Sequence, residues 1–127
     1  MGNVLLQDGP FDPEPFRKGL ARRAKEKEFA IERRVAEARA FLDIAKEAFL
    51  RIDPRMRKLL LFGSLSHGRP SSLDFDMDLA VSSDRYLQLV AWTLDQEWKI
   101  DLVDLDGIAG TKLADLETEA EILYEKS

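Results

Sequence analysis

The stretch Leu61–Val81, LFGSLSHGRPSSLDFDMDLAV, decides how this chain is read. An apolar run ends at Gly63-Ser64, a polar loop follows, and Asp74, Asp76 and Asp78 arrive spaced by single residues. Side chains alternate across a strand, so on a strand all three acids would share one face and repel. A sheet gains no stability that way. The pattern therefore implies something positive among the acids. Ahead of them, glycine permits a tight turn whose N–H groups, with the serine hydroxyl, suit an anion.

The neighbouring segments supply a scaffold. KLLLF (Lys58–Phe62) reads as a buried strand and MDLAV (Met77–Val81) as a second. If Met77, Leu79 and Val81 face a core, Asp76 and Asp78 leave the opposite face. WKIDLV (Trp98–Val103) reads as a third strand, with Asp101 set among Ile100, Leu102 and Val103. A lone carboxylate in such surroundings is costly. Three acids converging at one strand end are tolerable when divalent cations neutralise them. Hard oxygen ligands suit Mg²⁺, which keeps waters and shares its other positions with substrate phosphates. Two such ions would clamp the attacking and leaving oxygens of an in-line phosphoryl displacement.

Before the first strand, Phe16 to Leu50 is rich in helix formers. Ile31, Val35, Ala38, Leu42, Ala45 and Phe49 recur in alternating steps of four and three, one helical stripe. Pro54 stops it. One long helix or two with a bend both satisfy this pattern. Ser82 or Ser83 is placed to cap a helix from Asp84 to about Gln96. A last helix near Leu113–Ala120 leads into a short strand at ILY. The order predicts an α/β or α+β domain with one small sheet. Residues 1–54 are expected to be an irregular segment and amphipathic helix or helices, and 55–127 the core.

Composition narrows the classes. The 127 residues suit one domain; 45% are hydrophobic and 34% charged. No cysteine is present, which excludes disulfides, thiolate metal sites and a catalytic thiol. No segment approaches a membrane span, and the opening residues lack the pattern of a signal peptide, so the cytosol is the expected location. The net charge of -5 hides an asymmetry: Arg17 to Arg34 is strongly basic, whereas the residues from Asp101 onward are acidic. The basic segment reads as a solvated helix face or as a patch for an anionic partner.

Taken together, "GS…G…DFDMDLAV…KIDLVDLD" resembles the nucleotidyltransferase superfamily that includes DNA polymerase β, and in particular its minimal nucleotidyltransferase (MNT) branch. The resemblance spans about Lys58 to Tyr124. It implies a small mixed sheet flanked by helices, with an N-terminal helical extension. It also implies that Gly63 and Ser64 hold the phosphates of an NTP, with ATP the expected donor. By the same resemblance Asp76, Asp78 and Asp101 hold two Mg²⁺ ions, and Asp101 helps activate the attacking hydroxyl. Arg69 is the expected further phosphate contact. Stand-alone MNT proteins resemble antitoxins that adenylylate a HEPN-type toxin, so a toxin-like protein partner is implied, or self-association through the N-terminal helix.

Two departures stand out. Family members often carry Arg shortly after Gly-Ser, where this chain has Leu65 and Ser66. The loop before the acids is about one residue longer than usual, so Asp74 and Asp76 compete with Asp76 and Asp78 as the pair; the alternation of Met77, Leu79 and Val81 favours the latter. His67 is read as a solvent-exposed loop residue or a phosphate contact. Trp92 and Trp98 are read as core, and Asp104 and Asp106 as surface charge at a strand exit. Beside the enzyme stand two alternatives, a binding-only neutraliser that keeps the fold without turnover and an RNA-binding or RNA-tailing protein.

Overall fold

The computed structural model describes residues 14–67, 70–108 and 110–127. The irregular opening segment expected from sequence, and Gly68 and Arg69, lie outside these residues. The described residues open with one 39-residue helix, α1 (Glu14–Ile52), without the bend that sequence left open. There follow β1 (Lys58–Phe62), a four-residue helix α2 (Ser64–His67), β2 (Met77–Ser82), α3 (Tyr86–Leu94) and β3 (Ile100–Asp104). A 3-10 turn at Leu105–Gly107, α4 (Gly110–Glu119) and β4 (Glu121–Glu125) complete it. This is a mixed α/β fold, with helices flanking a four-stranded sheet.

The strand order is β3-β2-β1-β4. β1 runs antiparallel to both β2 and β4, and β2 pairs with β3 in parallel. A parallel pair requires a crossover, which α3 provides. On one face Leu59, Leu61, Met77, Leu79, Val81 and Leu102 pack against Ala38, Leu42 and Phe49 of α1 and Leu89 of α3. The stripe read from the sequence is thus the face α1 presents to the sheet. The opposite face carries a smaller cluster of Leu60, Ala80 and Leu105, packed by Phe62, Ile108 and Leu113. Asp78, two residues before Ala80, projects on this second side.

Both tryptophans join the larger core. Trp92 lies against Phe41 and edge-on to Phe49. Trp98 sits between Phe41 and Phe75 beneath the Arg34 guanidinium, 3.7 Å from the ring centre. The backbone joins β3 only at Ile100, two residues later than the expected start.

The expected serine cap of α3 is not formed. Arg85 occupies the cap position without a side-chain bond, and the helix starts at Tyr86. Both hydroxyls are engaged elsewhere. Ser82 ends β2, accepting from Arg57 Nε at 2.9 Å and donating to Asp106 at 2.8 Å. Ser83 donates to the buried Asp53 at 2.5 Å and accepts from the Arg85 N–H at 3.0 Å. Burial alone would push the Asp53 carboxyl up. The Ser83 hydroxyl, the Arg55 N–H and the charges of Arg85 and Arg57 outweigh it and hold the carboxyl below its ordinary value. Asp106, expected as bare surface charge, also pairs with Arg57 at 2.7 Å.

These contacts orient α1. Asp53, just beyond its C-terminus, meets Ser83 past the end of β2. Arg39, near its middle, meets Leu65 and Glu121 at the opposite end of the sheet, where β1 finishes. The first part of α1, Glu14–Phe29, therefore extends past that end, about 24 Å long and exposed throughout apart from Gly19.

Candidate functional site

The end of the sheet beneath this overhang gathers the acids. The last residue of β1, Phe62, pairs with Asp78 near the start of β2, and Asp78 pairs with Asp101 near the start of β3. Paired residues of parallel strands share a face and lie about 4.8 Å apart in backbone spacing. Asp78 and Asp101 are therefore neighbours on the same side. Asp78 is half-buried; Asp101 and Asp76 are exposed. Asp76 lies in the loop just before β2, and with Asp101, Trp98 and Lys99 it lines a cavity of about 320 Å³.

Asp78 bears the electrostatic load. Its burial, then the charge of Asp101, then that of Asp76, push its carboxyl above the ordinary range. No cation among the described residues bonds to Asp78. Lys99, the nearby lysine, pairs instead with Asp74 at 3.5 Å on the exposed rim. A raised carboxyl pKa in the folded state has a definite consequence for stability. Below about pH 3.9, the ordinary aspartate value, the group is protonated folded or unfolded and carries no penalty. As pH rises through the folded pKa, ionising Asp78 beside two other acids costs stability. Asp78→Asn should therefore melt at a higher temperature than wild type in metal-free buffer at pH 7, and the gain should vanish near pH 3. Calorimetric melting at both pH values checks this; a lower Tm for Asp78→Asn at pH 7 would contradict it.

Gly63 explains the turn. Its φ is +77°, a region that L side chains rarely adopt. Its open face also lies against the acid: a Cβ here would collide with Asp78 Oδ2 and come within 3.3 Å of Asp78 Cγ. The turn is thus pressed onto the carboxylate. Ser64, exposed, opens α2, and the Ser66 N–H returns to the Gly63 carbonyl at 3.1 Å. Leu65, the next residue of α2, is buried in the larger core.

Among the described residues, no group of three or more His, Asp or Glu side chains forms a ready metal cage. Mg²⁺ does not need one. It commonly binds through one or two carboxylates and completes its shell with waters and substrate phosphates. Two adjacent acids, one already strained by its neighbours' charge, match that donor chemistry. At the far end of the sheet a cavity of about 370 Å³ is lined by Arg57, Lys58, Asp106, Glu117 and Glu125. There the cations are already paired with acids, Arg57 with Asp106 and Lys58 with Glu117 and Glu125. At the Gly63 end, Asp76, Asp78 and Asp101 have no such ion pair among the described residues.

Sequence reasoning missed one residue at this end. Arg39 on α1 forks onto Glu121, with Nη1 donating to Oε2 at 2.5 Å and Nη2 to Oε1 at 2.8 Å. Nη2 also donates to the Leu65 carbonyl at 3.2 Å. The signal available was slight: a cation at the edge of the apolar stripe, and an acid at the head of the final strand.

The architecture is a mixed α/β domain built on one four-stranded sheet. Its fold is similar to chains in crystal structures of the toxin–antitoxin pair MntA–HepT. One, from a variant complex, is 24% identical over 66% of this chain and 72% of that chain, with a TM-score of 0.50. Another, from a toxin–antitoxin structure with AMP-PNP, is 26% identical over 65% and 72%, with a TM-score of 0.48. A third, from the MntA–HepT pair, is 22% identical over 66% and 73%, with a TM-score of 0.42. No protein-family model and no curated protein matches the chain. Among the described residues no helix is long and apolar enough to cross a membrane.

Proposed function

We propose that this protein is a Mg²⁺-dependent nucleotidyltransferase that moves a nucleoside monophosphate, AMP from ATP, to a hydroxyl of a macromolecular acceptor. The observation that carries the reading is the in-register pair Asp78 and Asp101, with the Gly63 turn pressed against Asp78. In this reading Asp76 and Asp78 hold metal, Asp101 holds metal and the acceptor, and Gly63 and Ser64 receive phosphate. Bound Mg²⁺ supplies positive charge to the triphosphate and relieves the repulsion at Asp78.

The residues divide the chemistry as follows. Asp101, exposed at the cavity beside Asp76, accepts the proton of the acceptor hydroxyl. The acceptor oxygen bonds to the α-phosphorus as the bond from that phosphorus to the β-bridging oxygen breaks, and pyrophosphate departs with the electron pair. The turn's N–H groups and the Ser64 hydroxyl orient the departing phosphates. Arg69 is a proposed further phosphate contact, from its place in the polar loop after the turn.

The acceptor proposed is a toxin-like protein partner. Support comes from the motif resemblance and from the exposed first half of α1, where Phe16, Leu20 and Phe29 are all solvent-facing. Self-association through this helix is the other use of the same surface. A second reading, neutralisation by binding alone, is favoured by one observation: buried Leu65 and its neighbour Ser66 stand where the resembled family often carries arginine, and Arg39 is engaged with Glu121. Label transfer from α-³²P-ATP to a co-expressed partner separates the two. Transfer by the wild-type protein supports the enzyme; neutralisation without transfer leaves binding alone.

A further inference from the structure

Arg39 occupies a particular place in the site's construction. Glu121, which it grips with two parallel bonds, pairs across the sheet with Leu61, two residues before Gly63. Leu65, whose carbonyl it also holds, lies two residues after Gly63. A single guanidinium therefore spans the turn from one side to the other. The span matters because α2 has only four residues, so its carbonyls have no partners within the helix and must be satisfied from outside. Arginine suits the role because its planar fork binds a carboxylate bidentately while a further N–H stays free for the carbonyl. The Glu121 hydrogen bonds and charge also raise the Arg39 pKa, against a lesser opposing effect of burial, so the brace is cationic at every working pH.

Buried Leu65 anchors the far side of the turn; the two residues before it are held less firmly. Gly63 is conformationally free, Ser64 is exposed, and the local backbone bond from Ser66 is 3.1 Å. Yet its position is critical, since the backbone at Gly63 lies in contact with the Asp78 carboxylate. A small outward movement would separate the phosphate-facing N–H groups from the acids.

We infer that Arg39 is a positioning residue, bracing the Gly63–Ser64 turn from outside the site so that its N–H groups stay aligned with Asp78 for capture of a nucleoside triphosphate. The ligand part of this inference rests on the function proposed above. The brace itself does not. Arg39 bonds to Glu121 and the Leu65 carbonyl and to none of Asp76, Asp78 and Asp101, so it acts through the turn.

Arg39→Lys keeps the charge and loses the fork; Arg39→Gln loses both. Amide hydrogen exchange is measured over residues 63–67 and over the buried strand 77–82 as an internal reference, in full-length protein without ligand. Steady-state transfer with Mg-ATP is measured in parallel. The expected result is exchange about 10-fold faster at 63–67 in both variants, with 77–82 unchanged, and a KM for ATP raised about 10-fold while kcat stays within about 3-fold. Unchanged exchange at 63–67, or equal acceleration at 77–82, would overturn the brace. Faster exchange at 63–67 with an unchanged KM would show that the brace does not serve nucleotide capture, which also overturns the inference. A wild type that neither binds nor turns over Mg-ATP would sink the proposed function and the capture role together, while the exchange at 63–67 still decides the brace.

Discussion

Asp78→Asn and Asp101→Asn should each lower nucleotide transfer about 10³-fold or more while leaving the protein folded. The physical basis is differential stabilisation. Charge builds on the phosphoryl oxygens and the leaving group only in the transition state, and groups aimed at that charge in a low-dielectric site act mainly on kcat. Asparagine keeps the shape of aspartate and loses the anionic oxygen. The loss of one anion from a crowded trio also removes repulsion, so the activity loss should accompany a Tm that is unchanged or raised. That combination separates a functional carboxylate from a structural one, whose removal lowers both. Asp74→Asn is the internal control. Asp74 is exposed and, among the described residues, pairs with Lys99 on the rim, an interaction worth about 0–1 kcal/mol, so transfer should change by less than about 3-fold. Asp76→Asn should fall near Asp78→Asn if the acids work as one site. If Asp74→Asn is the inactive variant instead, the acid pair is displaced by two residues and the strand alignment at β2 fails to describe function.

Gly63→Val should be among the most disruptive single changes at this end of the molecule. A β-branched residue at φ +77° costs about 1–2 kcal/mol in backbone energy alone. Its Cβ then meets Asp78, and forcing atoms into occupied space typically costs about 1–3 kcal/mol more. The two contributions are separable. Replacing Asp78 by alanine removes the carboxylate that blocks the new side chain, so Gly63→Val should cost less in an Asp78→Ala background than in wild type. Urea denaturation of the four proteins provides the comparison. Equal costs in both backgrounds would mean that the contact with Asp78 is not what reserves this position for glycine.

Much of the fold can be read locally. The strand at Lys58–Phe62 and the start of β2 at Met77 are marked by short apolar runs, which the fold buries on both faces of the sheet. The stripe from Ile31 to Phe49 marks α1 because a 3.6-residue period needs no knowledge of the partner. Long-range pairing leaves no such period. Arg39 and Glu121 lie 82 positions apart, and neither neighbourhood announces the other. Ser82 and Ser83 look like helix caps because their hydroxyls are judged by sequence neighbours, whereas Arg57, Asp106 and Asp53 claim them from elsewhere in the fold. The aromatic surroundings of Trp98 likewise draw it into the core ahead of the strand it appeared to begin. At the site, the placement of Asp78 and Asp101 on two strands was legible from the apolar runs around them. The in-register pairing of Asp78 with Asp101 was not, because it depends on which strand neighbours β2 and in which direction.

The central claim is that Asp78 and Asp101, beside the Gly63 turn, bind a nucleoside triphosphate through a divalent cation. The most direct measurement is calorimetric titration of ATP into the full-length protein, with Mg²⁺ and with EDTA, for wild type and for Asp78→Asn/Asp101→Asn. Binding is expected only in wild type with Mg²⁺, because removal of either the cation or the carboxylates leaves the triphosphate facing uncompensated charge or an empty coordination shell. Equal affinity in all four titrations would contradict the account and move nucleotide binding, if any, away from this end of the sheet.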